Sequence, residues 1–283
     1  EEEAFEHIRR FLSYLPSSVW ETPPVTEPTD DPDRREPELI SIVPRDRRKV
    51  YNMRRILNLA VDIDSFFEIG RHFGPSLITG LARLDGIPVG AMANDPAFMA
   101  GSIDAAAAEK MTRFVDLCDT FRLPVVNFVD NPGFLVGTEA ERQGTIRKGV
   151  RALAAVYQAT TPWCSIIVRK AFGVAGAGHS NHTRSSSRYA WPSGEWGSLP
   201  IEGGVEAAYK RQLQASDDPD KLRDELEGKL ASLRDPILTA EAFGVEEIID
   251  PRDSRPLLVE FARRAHEIVA AEVRGPKSRG MRP

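Results

Sequence analysis

The chain has 283 residues, 41% of them hydrophobic and 28% charged, with a formal net charge of −5. That length buries a sizeable core as one large domain or two small ones, and the composition excludes disorder as the main state. The acidic balance excludes a basic nucleic-acid footprint, and no run reaches the roughly 18 apolar residues that a membrane span needs.

The chain opens at Glu1-Glu2-Glu3 with neither an initiator Met nor a secretory leader, as expected of a fragment, a processed product or part of something longer. Residues 4–15 predict a short amphipathic helix, with Ala4, Ile8, Phe11, Leu12 and Leu15 at helical spacing. Its stripe calls for a surface outside this chain. Residues 16–38 are rich in Pro, Asp and Glu, lack an apolar period, and read as a linker. We therefore read 1–38 as the end of an upstream domain plus a linker, and 39–283 as the domain proper. Residues 52–60 predict a helix. Asp64, Phe66, Phe67 and Glu68 read as the start of another, with Glu68 exposed. Residues 77–84 and 87–93 predict strands joined at Asp85-Gly86, a hairpin turn pair. Asp104 predicts the cap of a helix running to about Phe121, with Met111, Phe114, Val115 and Cys118 on one face.

From Pro124 the pattern is regular. Strands are predicted at 124–130 and 165–169, and helices at 146–159 and 204–214. This alternation implies stacked β–α units with loops gathered at the strand ends, an α/β fold. Residues 216–234 predict a solvated, highly charged helix. A short turn, a short strand and a final amphipathic helix (255–273) follow, then a basic tail expected to fray. Cys118 and Cys164 sit in apolar stretches and read as buried thiols of a reducing, cytoplasmic compartment.

Two loops stand out. Val129-Asp130-Asn131-Pro132-Gly133-Phe134-Leu135-Val136-Gly137-Thr138 follows a buried strand. Pro132 and Gly133 favour a tight turn, and Gly137 permits close backbone approach. By itself this is also what an ordinary strand-to-helix connection needs. Arg169-Lys170-Ala171-Phe172-Gly173-Val174-Ala175-Gly176-Ala177-Gly178-His179 holds no strong nucleophile. Its small residues leave backbone N–H groups uncovered, as in an oxyanion hole, or equally as in a glycine-rich packing corner. It lacks the Gly-Lys-Ser/Thr ending of a phosphate-binding loop. His179 and His182 have no third ligand nearby in sequence, which argues against zinc, and no other metal site is expected in this chain. His179-Ser180 lacks a recognisable base–nucleophile partner set. Arg169 and Lys170 read as strand-end caps or as steering charges for an anionic partner. Trp191 and Trp196 read as packing.

Further fragments recur along the chain: Ile42-Val43-Pro44, Tyr51-Asn52-Met53, Asp64 to Ile69, Gly80-Leu81-Ala82-Arg83-Leu84, Ala105 to Phe121, Gly144-Thr145-Ile146-Arg147-Lys148-Gly149 and Tyr189-Ala190-Trp191-Pro192. With the two loops, their order and spacing resemble the carboxyltransferase (beta) subunits of propionyl-, acetyl- and methylcrotonyl-CoA carboxylases. Arg10-Phe11-Leu12-Ser13-Tyr14-Leu15-Pro16 resembles the end of that family's first domain. The resemblance implies a crotonase-like ββα superhelix and the second, biotin-side domain of a two-domain subunit. It also implies an active site shared with the first domain of a partner, within an oligomer expected to be a hexamer.

The implied activity is carboxyl transfer from carboxybiotin, carried by a biotin carboxyl carrier or biotin carboxylase subunit, to the α or vinylogous carbon of an acyl-CoA. By motif match, the backbone N–H groups of Val174 and Ala175 form an oxyanion hole, and Gly133, Phe134, Gly137 and Gly173 shape the biotin site. Val174 departs from the Gly or Ala usual there and tightens access. Gly176 and Ala177 stand where the family tunes acyl-chain choice, and their small size implies a substrate other than plain propionyl-CoA. The polar stretch 178–188 has no explanation in sequence. The alternatives are a crotonase-type hydratase or isomerase, which needs positioned carboxylates where these loops offer only Asp130 and Glu139, a sodium-pump decarboxylase or transcarboxylase subunit, and a non-catalytic scaffold half.

Overall fold

Asp85 and Gly86, both with positive φ (54° and 74°), make the two-residue turn that pairs β2 (Leu77–Leu84) antiparallel with β3 (Ile87–Asn94). The Asp62 carboxylate accepts both turn N–H groups, from Asp85 at 3.0 Å and Gly86 at 2.9 Å. The structure, a computed structural model, describes all residues except 48, 180–183, 198–200, 233–235, 242–243 and 273–274, and the side chains of 177, 201–204, 206–207, 231–232 and 239 are likewise outside it.

Three parallel strands extend the sheet from β3: β4 (Val125–Asn131), β5 (Trp163–Phe172) and β6 (Ser186–Ala190). Short strands finish it. β1 (Phe67–Ile69) borders β2, β7 (Glu195–Gly197) runs beside the end of β5, and the two-residue β8 (Glu247–Ile248) borders β6. Both ends of the strand order are therefore two or three residues long.

Alternation along the strands sends side chains to two cores. Ile78, Ala82, Val89, Val126, Phe128, Ile166 and Val168 meet α2 (Met53–Ala60) and the C-terminal helix (Ser254–Ala271) on one face. Leu77, Leu81, Met92, Val125 and Trp163 meet α3 (Ala105–Phe121) and α5 (Thr145–Gln158) on the other. The predicted cap at Asp104 forms, its Oδ1 accepting from Ala107 N at 2.7 Å, and Asn52, the first residue of the predicted helix, is itself a cap, its Oδ1 accepting from Arg55 N at 3.2 Å. Among the described residues, no helix is long and apolar enough to cross a membrane.

Cys118 and Cys164 are fully buried, one in each core, and burial pushes both thiols well above their ordinary range. A disulfide-exchange reagent should find no reactive thiol in the native chain and two in denaturant. Titration of a thiol before unfolding would contradict this packing.

Several expectations need correction. Residues 66–69 are not a helix start. Asp64 takes a left-handed φ of 57°, and β1 follows, sending Phe66 to one core and Phe67 and Ile69 to the other. Glu68 is largely covered and pairs with Arg54 at 2.6 Å. Part of the polar stretch 178–188 is accounted for by β6, a strand near the sheet edge whose Arg188 N–H donates to Glu246. The basic tail is pinned: Arg279 and Arg282 pair with Asp116 at 3.1 and 2.9 Å.

The N-terminal helix α1 (Glu2–Leu12) buries none of its residues. Just beyond it, Tyr14 and Leu15 join the second core, and Arg10 donates to the carbonyls of Asp64 and Phe66. Phe5, Ile8 and Leu12 stay exposed as one stripe. Residues 16–38 lack regular structure until a 3₁₀ turn at Pro37–Ile40, yet they are tied down. Arg34 bridges Asp30 and Glu36 and donates to the carbonyls of Leu59 and Val61. Arg255 holds Asp30 and Asp62 from the C-terminal helix.

Candidate active site

β4 and β5 are neighbouring parallel strands, so their C-terminal ends release both singled-out loops side by side. A buried charge cluster joins those ends. Asp130, fully buried on β4, accepts the Tyr51 hydroxyl at 2.8 Å, Arg169 Nε at 3.1 Å and the Lys170 backbone N–H at 3.1 Å. Arg169 also donates to the Lys49 carbonyl and lies over the Tyr51 ring, 4.9 Å from its centroid. Burial, with the Asp130 charge beside it, holds the Tyr51 phenol protonated, well above its ordinary range. Lys170 Nζ donates to the Ala100 carbonyl at 3.0 Å and lies 3.6 Å from Asp130. Arg169 and Lys170 are thus structural partners of Asp130. The clamp was not legible as such in sequence. Its trace is an acid ending one apolar strand and a base ending another.

The first loop turns tightly at Asn131, whose Oδ1 accepts the Gly133 N–H at 2.9 Å. The Gly133 carbonyl accepts from Ile103 N, so both backbone groups of Gly133 are engaged and its contribution is shape. Gly133 and Gly137 have φ of 132° and 121°, and a Cβ on either would meet nothing within 4 Å. They are glycines because the backbone demands it, and the space beside them is open. Phe134 lies against Gly149 of α5, where a Cβ would strike its ring at 2.6 Å. Val136 is 78% exposed. Gly137 leads into α4 (Thr138–Arg142), which carries the exposed Glu139.

The second loop begins with Gly173, at φ 61°, and makes one helical turn, α6 (Gly173–Ala177). No side chain caps it, and the first N–H groups of a helix have no carbonyl within the helix. Val174 is 68% exposed, whereas Ala175 is buried and fixes the turn against the second core. Gly176 is closely packed: a Cβ there would meet the Ala171 carbonyl carbon at 2.5 Å, so its size is set by the backbone of β5. The side chain of Ala177 lies outside the described residues, as do Ser180 and His182.

His179 closes the loop in a fully buried position. Its ring nitrogens lie 3.0 Å from Asn127 Nδ2 and 2.8 Å from Asn131 Nδ2, and burial lowers its pKa to about 4. Among the described residues both ring nitrogens face asparagine amides, not a nucleophile. No group of three or more metal-ligating side chains occurs among the described residues. A cleft of about 900 Å³ beside Leu39, Val43, Arg45 and Trp191 reaches Arg169, where the second loop starts, but touches no other residue of either loop. Of the two carboxylates the loops offer, Asp130 is saturated and Glu139 is exposed beside Arg142. Neither is set up for acid–base work on a bound substrate.

Two site loops at the ends of adjacent parallel strands, under a sheet with helices on both faces, define the crotonase-like fold of the carboxyltransferase structures this chain superposes on. The chain belongs to the carboxyl transferase domain family, whose pattern matches residues 1–274. It is 42% identical over 265 residues to the carboxyltransferase subunit of propionyl-CoA carboxylase from Haloferax mediterranei, covering 93% of this chain and 51% of that one. It is 35% identical over 249 residues to the methylmalonyl-CoA carboxyltransferase 12S subunit of Propionibacterium freudenreichii subsp. shermanii, covering 87% and 47% respectively. The crystal structure of a transcarboxylase 12S hexamer, with methylmalonyl-CoA and methylmalonic acid bound, matches with a TM-score of 0.86 at 33% identity, covering 99% of this chain and 54% of that one. The chain thus spans about half the length of the known relatives it matches.

Proposed function

We propose that this chain is the biotin-side half of the carboxyltransferase of a biotin-dependent acyl-CoA carboxylase. In this reading residues 1–38 are the terminal helix of the acyl-CoA-side domain plus a linker, and 39–283 form the biotin-side domain. The observation that carries it is the pairing of an uncapped turn at 173–175 with the open space beside Gly133 and Gly137, where the described residues place no free carboxylate or imidazole as a general base. Such a site suits chemistry in which the cofactor brings its own base. Carboxybiotin, on a carrier partner, supplies the carboxyl group and, once that is released, a basic ureido nitrogen.

The protein's share is positioning and charge stabilisation. The N–H groups of Val174 and Ala175 donate to the ureido oxygen as it gains negative charge, and Gly173 lets the chain turn into that geometry. Gly133, Phe134 and Gly137 shape the channel. The chain's own surface leaves the site one-sided. Val136 and Val174 are exposed, and so are Ile146 and Val150 of α5, the helix that carries Gly149 beneath Phe134 and Leu153 beside Gly178. A second carboxyltransferase domain, contributed within an oligomer, covers this apolar side. The Gly176 position is filled by the chain's own packing, so acyl-chain choice on this half rests on Ala177, and its small size favours an acyl group bulkier than propionyl.

Reverse transfer tests the reading: loss of the carboxyl group from malonyl-CoA and longer-branched analogues with free biotin, by the chain alone and with the acyl-CoA-side half restored. Biotin-dependent turnover in the restored sample alone is expected, faster with the bulkier analogues. No biotin-dependent turnover in either sample would sink the proposal, and a strong preference for malonyl-CoA would sink its acyl-chain part.

A further inference from the structure

His179 touches both site loops, and its hydrogen bonds admit one consistent reading. Asn131 Oδ1 accepts the Gly133 N–H, so Asn131 Nδ2 is the group that faces His179 Nε2. Nε2 must then be bare. A neutral ring carries its one proton on Nδ1, so the Asn127 atom 3.0 Å away must be the oxygen, with that amide turned over. The turned oxygen takes the Nδ1 proton in exchange for the 3.4 Å donation from Asn127 Nδ2 to Ser165 Oγ, and the position where the unturned Oδ1 is buried without a partner passes to the amide NH₂. Turning Asn131 instead would set its NH₂ against the Gly133 N–H. The main chain of His179 is anchored as well. Its carbonyl accepts from Ser165 Oγ and, at 3.1 Å, from Trp163 Nε1, both on β5.

We propose that His179 is a positioning residue for carboxyl transfer. Its neutral, Nδ1-protonated ring orients Asn131, and through it the Gly133 turn, against the Gly173–Gly178 turn that precedes it in the chain. The proposal rests on the carboxyltransferase reading for its consequence but not for its geometry. Burial alone keeps the ring uncharged, and charging it would aim a second N–H at the Asn131 amide. Because His179 reaches the turn from the neighbouring loop, a change there moves the channel wall relative to the oxyanion donors. Misplacement of about 1 Å in such a pair costs up to about 100-fold in rate.

Two measurements on this chain need no activity. Nitrogen-15 spectra should show His179 with Nδ1 protonated and Nε2 bare from pH 5 to 8. A proton on Nε2, or a charged ring in that range, would overturn the proposal. In His179→Leu, hydrogen exchange at the Gly133 amide should speed up at least ~10-fold while amides of Val126 and Phe128 stay protected, since only the turn loses its anchor. Unchanged exchange at Gly133 would also overturn it. In the restored enzyme, His179→Leu should lower kcat at least ~10-fold with KM for acyl-CoA unchanged, and His179→Gln should recover part of that. Wild-type kcat in a folded His179→Leu overturns the catalytic consequence. Inactive wild type together with the predicted spectra and exchange faults the functional reading instead.

Discussion

Asp130→Ala is expected to destabilise the chain by about 3–5 kcal/mol, the cost of stranding a buried charge. Asp130 is fully buried and Arg169 nearly so, which removes the solvent screening that makes surface pairs weak. Loss of the carboxylate leaves Arg169 with the Lys49 carbonyl and the Tyr51 ring, and takes from the Tyr51 hydroxyl and the Lys170 N–H the oxygens they donate to. Urea unfolding checks this. The midpoint should fall at an unchanged slope. Adding Arg169→Met should restore a good part of the loss, because the double variant no longer strands the buried guanidinium. A single-variant loss below about 1 kcal/mol would mean the clamp is worth no more than a surface pair.

Val174→Pro should cost about 10²–10³ in kcat, or roughly 2.7–4 kcal/mol, while leaving the fold intact. Proline deletes the one N–H without deleting the turn, because an early helical position has no intrahelical use for that donor. The preceding residue is Gly173, which tolerates the conformations that proline imposes on its neighbour. Val174→Gly keeps the donor and clears the exposed isopropyl group, so it should match or exceed wild-type activity. Both are read in the restored enzyme with free biotin. Wild-type kcat in a folded Val174→Pro protein would remove Val174 from the oxyanion role and leave the exposed valine as a packing contact for a partner.

The sequence was most legible where one period ran long enough to dominate. The apolar face of Met111, Phe114, Val115 and Cys118, and the cap at Asp104, appear in the structure where the pattern puts them. The hairpin at Asp85-Gly86 was readable because so few residues accept positive φ twice in succession. Residues 64–69 misled because two adjacent aromatics fit a helix start as well as opposite faces of a strand. Only pairing with β2 decides between them. In the candidate site, the two loops and the strands that release them were legible, and the side-chain partnerships were not. Asp130 and Arg169 are 39 residues apart, and so are easily taken for a candidate catalyst and a strand-end charge. Gly176 looks permissive for a substrate until the β5 backbone is seen to fill its space. His179 invites metal or nucleophile chemistry because its true neighbours, Asn127 and Asn131, lie in another loop and strand.

The two short border strands limit how this molecule meets others. A sheet edge recruits a foreign strand by offering a row of unpaired N–H and C=O groups, and β1 and β8 offer three and two residues of it. Main-chain pairing therefore has little to grip at either end. Association is left to side chains: the stripe of Phe5, Ile8 and Leu12 on one helix, and the apolar residues around the two loops. Recognition of that kind is read residue by residue, so a surface that covers these patches must match their shape and chemistry, and a generic extended segment will not substitute for it.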